Sequence, residues 1–222
     1  MNIKAIIFDL DGTLLDTLAD IALSMNQALI DHHLSPYALD DYRYFVGNGV
    51  EQLTTRALRA QNGDSKLVES VLQSYRKYYD QWKNKNTQPY NGIRELLEKC
   101  HNRQIKTVVF SNKPHQDTVK VIKDYFPNHS FAAVLGHQDN KPLKPDPTVL
   151  YEIIAKLKVN KNEVLYVGDT AVDMETATAA GLTPIGVTWG FRDEPELVKA
   201  GAAVIVSSCE QLMSYIEKRD ER

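Results

Sequence analysis

Cysteine is scarce in this chain: only Cys100 and Cys209 occur, and neither stands near another cysteine or a histidine pair in ligand spacing. That excludes a disulfide framework and a zinc site, and it leaves two free thiols in a reducing compartment. Long apolar runs are lacking too, so no membrane span is expected. The first residues lead straight into a strand-like run without the basic, apolar and cleavage-site succession of a signal peptide, and the expected location is cytoplasmic. Nor is there a basic excess: 26 Lys and Arg stand against 29 Asp and Glu, interspersed, for a net charge of -3. This balance argues against a dedicated nucleic-acid binder. Internal repeats and low-complexity segments are absent, and the charged stretch 217–222 reads as a frayed end. What remains is a globular composition, 43% hydrophobic over 222 residues. It suits one good-sized domain or a domain with a smaller companion.

The most informative stretch is Ile6-Ile7-Phe8-Asp9-Leu10-Asp11-Gly12-Thr13. Ala5 to Phe8 is a short apolar run of the kind that forms a strand buried on both faces. Two aspartates follow with one residue between them. Alternation along an extended chain points both carboxylates the same way. Like charges side by side repel unless a cation or a proton sits with them. Gly12 then permits a tight turn and close approach of a ligand to the backbone.

Beyond Thr13 the pattern turns helical. Apolar residues recur at helical spacing through Ile21–Leu29, Val50–Leu58 and Leu67–Trp82, with a glycine-bearing turn at Gly47-Asn48-Gly49. Residues 16–83 therefore read as an all-helical insert, and the tyrosines of the third stripe as packing. Lys83 to Gln88 is polar and reads as a linker, followed by a turn at Pro89–Gly92. From there strand-like runs at Thr107–Phe110, Ala132–Leu135, Val164–Val167, Pro184–Val187 and Ala203–Val206 alternate with helical stripes. Such alternation implies βα units and a Rossmann-like parallel sheet with right-handed crossovers. The expected fold class is α/β, with a core of residues 1–15 and 84–222 interrupted by the helical insert.

In open sheets of this kind, ligands bind beyond the carboxyl ends of the strands. Those ends carry Asp9 and Asp11, then Ser111, Asn112 and Lys113, then Asp169 with Asp173 one turn on. Lys144-Pro145 opens a helix between the last two groups. Carboxylates suit a hard cation such as Mg²⁺, which prefers oxygen ligands. A hydroxyl, backbone N–H groups and an ammonium suit the oxygens of an anion. A carboxylate can also act as nucleophile, and a second one as acid and then base. This inventory fits phosphoryl transfer. Lys141-Pro142 is a rival for Lys144-Pro145, disfavoured because Pro145-Asp146-Pro147 opens the following helix. Lys113 reads as a solvated turn residue. Arg43 could reach a substrate carboxylate, although a surface arginine is the ordinary reading.

Asp9-Leu10-Asp11-Gly12-Thr13, Ser111-Asn112, Lys144-Pro145 and Gly168-Asp169 with Asp173 resemble, in order, the four signature motifs of the haloacid dehalogenase superfamily. The resemblance covers the whole chain, with the helical insert at 16–83 in the place of that superfamily's cap. Within it, the Asp-Gly-Thr-Leu-Leu-Asp-Thr opening, Phe45–Gly49, Ser111–Pro114 and Thr188-Trp189-Gly190 are similar to phosphoglycolate phosphatases. The resemblance implies Asp9 as nucleophile and Mg²⁺ ligand, and Asp11 as a ligand through its carbonyl and as acid and base through its side chain. It implies Ser111, Asn112 and Lys144 at the phosphate, Asp169 as the third ligand and Asp173 as its support. Gly12 and Thr13 would offer N–H groups to the phosphate, and Gly47, Asn48, Gly49 and Arg43 would meet substrate from the cap. The cap would close by hinges near Leu15–Thr17 and Lys83–Gln88.

The expected activity is Mg²⁺-dependent hydrolysis of a small phosphate ester through an aspartyl phosphate, by a monomer or homodimer. A β-phosphoglucomutase, a pyrophosphatase or a nucleotidase would use the same core. A dehalogenase is disfavoured because it has no need of Asp11. A phosphonate hydrolase would be expected to carry a lysine early in the cap, and Asp16 to His33 contains none. A non-catalytic binding module is disfavoured because every motif position is filled.

Overall fold

The computed structural model describes residues 2–220. In chain order the strands are β1 (Ala5–Phe8), β2 (Leu15–Asp16), β3 (Gln88–Pro89), β4 (Lys106–Pro114), β5 (Ala133–His137), β6 (Val164–Gly168), β7 (Thr183–Val187) and β8 (Val204–Val206). The helices are α1 (Leu18–Asp31), α2 (Tyr42–Phe45), α3 (Val50–Arg59), α4 (Val68–Trp82), α5 (Ile93–Asn102), α6 (His115–Tyr125), α7 (Thr148–Leu157), α8 (Ala171–Ala180), α9 (Glu194–Lys199) and α10 (Cys209–Asp220). The chain forms two compact units, one from the residues up to Leu15 with those from Pro89 onward, the other Asp16–Gln88.

The first unit is an α/β layer structure. Its six strands pair in the order β5-β4-β1-β6-β7-β8, and the pairings are parallel. β1 is central and wholly buried because its four residues, Ala-Ile-Ile-Phe, carry nothing that needs water. Ile6 and Phe8 pack on one face with residues of α5, α6 and α10. Ala5 and Ile7 pack on the other with residues of α7 and α8. β1 pairs with β4 from Ala5 with Lys106 to Phe8 with Val109, and with β6 from Ala5 with Val164 to Phe8 with Val167. Phe8, Val109 and Val167 are thereby brought level, and β4 runs on beyond them. The α/β expectation holds, and each expected strand overlaps an observed one, with β4 running four residues past its expected end at Phe110.

The second unit is built on α1, α3 and α4. The helical stripe Ile21, Ala22, Met25, Ala28 and Leu29 is buried, as are Val71, Leu72, Tyr75 and Tyr79 of α4. Tyr75 and Tyr79 stack at 5.5 Å and Tyr78 lies 5.0 Å from Trp82, so the aromatics of this helix are packing. The carboxylate of Asp20, fully buried, accepts hydrogen bonds from the backbone N–H and side chain of both Asn86 and Thr87, at 2.6–3.0 Å. This tie puts residues 84–88 with the helices, whereas their polar composition read as a linker of the core. The β2–β3 ribbon was also outside the sequence reading, since two-residue strands carry no period.

Both cysteines are free, and burial pushes each thiol up to about 12. No helix among the described residues is long and apolar enough to cross a membrane. The stretch expected to fray is helical through Asp220 in α10; residues 221 and 222 lie outside the described residues.

Candidate active site

The site begins where β1 ends. Asp9 continues the strand and is held by its N–H to the carbonyl of Val167, the last apolar residue of β6. The residue is 7% exposed. Level with it, Gly168 ends β6 and delivers Asp169, which is fully buried. On the opposite side β4 runs past its ladder with β1. Its register against β5 shifts between Phe110 and Pro114, so Ser111, Asn112 and Lys113 occupy an irregular stretch at the same rim. Carboxylate atoms of Asp9, Asp169 and Asp173 all lie within 4.8 Å of one another, and all three residues are buried.

Lys144 enters this acidic group from the loop before α7. Its Nζ is 2.9 Å from Asp9 Oδ1 and 2.7 Å from Asp173 Oδ1, and its side chain is 1% exposed. The rival Lys141 pairs instead with Glu152 on a partly exposed surface. Asn112 fixes the lysine's backbone: its Oδ1 accepts the Lys144 N–H at 2.8 Å and its Nδ2 donates to the Lys144 carbonyl at 3.2 Å. Its side-chain amide is thus engaged by the lysine loop. Ser111 Oγ is buried in β4, where it accepts the N–H of Lys113 at 3.2 Å; it does not cap a helix.

Asp173 sits in the first turn of α8. Its Oδ2 accepts the N–H and hydroxyl of Thr170, and its Oδ1 accepts Lys144 and the Tyr166 hydroxyl. With both oxygens so engaged, Asp173 anchors the lysine and the helix start. Asp169 is held differently. Thr13 Oγ1 donates to its Oδ1 at 2.8 Å and the Phe191 N–H to its Oδ2 at 2.8 Å, leaving lone pairs on each oxygen. Asp9 Oδ1 touches Lys144 as an ion pair but receives no well-directed hydrogen bond, a rare condition for a buried oxygen.

Two expectations at the first loop change. The N–H of Gly12 bonds the Leu15 carbonyl at 2.9 Å and that of Thr13 the Leu10 carbonyl at 3.3 Å, so both hold the turn rather than an anion. Gly12 is nonetheless required: its φ is +89°, and a Cβ there would stand 2.6 Å from Asp169 Cγ. Lys113, read from the sequence as a solvated turn residue, is buried, with Nζ 3.1 and 3.2 Å from the two oxygens of Asp11. The loop after β7, Thr188-Trp189-Gly190, carried the resemblance in the sequence but was given no role at the site. Trp189 Nε1 donates to the Thr13 carbonyl at 3.0 Å, and a Cβ on Gly190 would stand 2.6 Å from Asp169 Cγ. The available signal was a glycine just past a buried strand.

In the helical unit, Arg43 Nε lies 3.3 Å from Asp40 on the surface, and Asn48 Oδ1 accepts Arg56 Nη2 at 2.6 Å. Gly47 and Gly49 take positive φ at 127° and 84° where the chain turns into α3.

Four carboxylates here face two ammonium groups, so two negative charges are uncompensated when all are ionised. Burial and the neighbouring Asp173 push Asp9 up to about 7, although Lys144 opposes them. Burial, Asp173 and Asp9 lift Asp169 well above the carboxylate range. Burial would lower Lys144, but Asp173 and Asp9 outweigh it and hold the ammonium firmly charged. An oxygen-only donor set with an under-bonded buried oxygen and a double charge deficit fits a hard divalent cation.

The profile of the haloacid dehalogenase-like hydrolase family matches residues 6–187. A phosphoglycolate phosphatase of Mannheimia succiniciproducens is 34% identical over 194 residues, 85% of this chain and 87% of that protein. One from Haemophilus influenzae is 30% identical over 96% of this chain and 98% of its own length. A crystal structure from Lactobacillus delbrueckii subsp. bulgaricus superposes with a TM-score of 0.92 at 32% identity, covering 97% of this chain and 99% of that one. Six parallel strands, the acidic rim and the matched profile give one conclusion: the chain belongs to the haloacid dehalogenase-like hydrolase family.

Proposed function

We propose that this hydrolase is a Mg²⁺-dependent phosphatase that cleaves a small phosphomonoester of the phosphoglycolate type through an aspartyl phosphate on Asp9. One observation carries the reading: three buried carboxylates lie within 4.8 Å of one another beyond the strand ends, and one buried ammonium pairs with two of them. The relatives named as phosphoglycolate phosphatases support the substrate class.

Asp9, Asp169 and the Asp11 carbonyl would hold the cation, with Asp173 supporting. When bound, Mg²⁺ neutralises charge on the carboxylates and on the phosphate oxygens. Lys144 keeps the Asp9 carboxylate and an incoming phosphoryl group from repelling each other. Ser111 Oγ and the Asn112 N–H orient phosphoryl oxygens. Asp9 attacks phosphorus through one carboxylate oxygen while the ester P–O bond breaks, and Asp11 gives the leaving oxygen its proton. The same Asp11 then takes a proton from water as that water attacks phosphorus. The bond from Asp9 to phosphorus breaks, inorganic phosphate leaves and both aspartates are restored. We assign Asp16–Gln88 as the cap and Gly47, Asn48, Gly49 and Arg43 as its candidates for substrate selection.

The test is phosphate release from phosphoglycolate and a panel of about thirty phosphorylated metabolites, ranked by kcat/KM, since that ratio measures discrimination. Asp9→Asn and chelation should each abolish turnover. Activity that survives Asp9→Asn would belong to a contaminant, and a higher ratio for an unrelated ester would move the substrate assignment.

A further inference from the structure

We propose that Lys113 is the positioning residue of Asp11: its ammonium clasps both carboxylate oxygens and sets the direction in which Asp11 presents or takes its proton. The inference rests on the acid–base reading of Asp11 given above and adds a residue to it.

The geometry is specific. Lys113 Nζ lies 3.1 Å from Oδ1 and 3.2 Å from Oδ2 of Asp11, across 102 positions of sequence. The lysine side chain is 5% exposed and the carboxylate 13%, so water screens the pair little. The root of the lysine is anchored on both sides. Its N–H bonds Ser111 Oγ at 3.2 Å, and its carbonyl accepts the Thr118 hydroxyl at 3.2 Å. β5 passes so closely that a Cβ on Gly136 would stand 2.5 Å from that carbonyl. A backbone pinned in this way aims the side chain across the rim.

The two lysines of the site therefore divide the carboxylates: Lys144 takes Asp9 and Asp173, and Lys113 takes Asp11. An acid–base group works only within hydrogen-bond reach of the oxygen it serves, and a swinging carboxylate is there part of the time. An ammonium has three donors and no acceptor. It can keep one oxygen of Asp11 while the other carries the transferable proton, so clasping is compatible with both steps.

The test uses the full chain with Mg²⁺ and compares Lys113→Met, Lys113→Arg and Asp11→Asn on p-nitrophenyl phosphate and on an alkyl phosphate. Nitrophenolate leaves without a proton, whereas an alkoxide needs one. For Lys113→Met we expect an unchanged first-turnover burst of nitrophenolate. Steady-state kcat and single-turnover cleavage of the alkyl ester should both be about 30-fold slower, within the range of a lost acid–base contribution. KM should stay within about twofold and Lys113→Arg should recover most of the rate. A burst slowed as much as alkyl cleavage would mean general damage and overturn the proposal. A raised KM at intact kcat would make Lys113 a substrate-binding group and overturn it equally. If Asp11→Asn slows alkyl cleavage and Lys113→Met does not, this proposal fails alone. If Asp11→Asn is silent, the acid–base reading fails and takes this one with it. Thermal unfolding checks that each variant folds, with Lys113→Gln replacing the Met variant where it does not.

Discussion

In the metal-free protein, Asp9→Asn should raise stability while abolishing turnover. Folding lifts the Asp9 carboxyl from 3.8 to about 7 because burial and Asp173 disfavour its charged form more than Lys144 favours it. The folded protein thus holds this proton more tightly than the unfolded chain does. Its contribution is most favourable below about pH 4 and is lost as pH rises toward 7. Each pKa unit corresponds to about 1.4 kcal/mol, so Asp9 costs about 4 kcal/mol at pH 8, where the folded state carries it ionised, and about 2 kcal/mol at pH 5, where folding must protonate it. Asparagine has the same shape and no charge. The variant should therefore gain roughly 10 °C in melting temperature over the parent at pH 8, and about half that at pH 5. Saturating Mg²⁺ should narrow the gap at pH 8 by stabilising the parent, since a ligand at about 100 times its Kd adds about 2.7 kcal/mol to the state that binds it. Differential scanning calorimetry in chelator, at both pH values and then with Mg²⁺, reads all of this. A variant less stable than the parent at pH 8, or a difference that ignores pH, would refute the charge-deficit argument.

The other predictions test separate parts of the structure. Lys144→Ala should lower kcat about 10³-fold, in the range found when a group that stabilises transition-state charge is removed, whereas Lys141→Ala should leave kcat/KM within about twofold. A steady-state assay of both variants decides between the two lysines. Gly190→Ala forces a methyl to within 2.6 Å of Asp169 Cγ and should cut kcat by at least about tenfold, with weaker Mg²⁺ activation and little change in fold by circular dichroism. Asp20→Ala strips four hydrogen bonds from Asn86 and Thr87 and should cost the helical unit about 3 kcal/mol. Hydrogen exchange at Asn86 and Thr87 should accelerate with it, and unchanged protection there would mean that the carboxylate does not hold the segment.

Much of the fold was legible in the residues because local rules govern it. Ala5–Phe8 and Val164–Val167 are short uninterrupted apolar runs, the pattern of a strand buried on both faces, and both are buried strands here. Helical stripes such as Ile21–Leu29 announced their inward faces by period alone. Strand ends then named Asp9, Asp169 and the Ser111 region as neighbours, because parallel strands in register bring their carboxyl ends level. Which charges meet at that rim was decided only by tertiary structure. Lys113 and Lys144 each precede a proline in sequence, yet one clasps Asp11 and the other bridges Asp9 and Asp173. Asn112 faces the Lys144 backbone and Asp20 ties down Asn86 and Thr87 for the same reason. An ion pair or a buried hydrogen bond depends on where two distant backbones place their side chains to within about an ångström, and a one-dimensional pattern of polar and apolar residues carries no information at that scale.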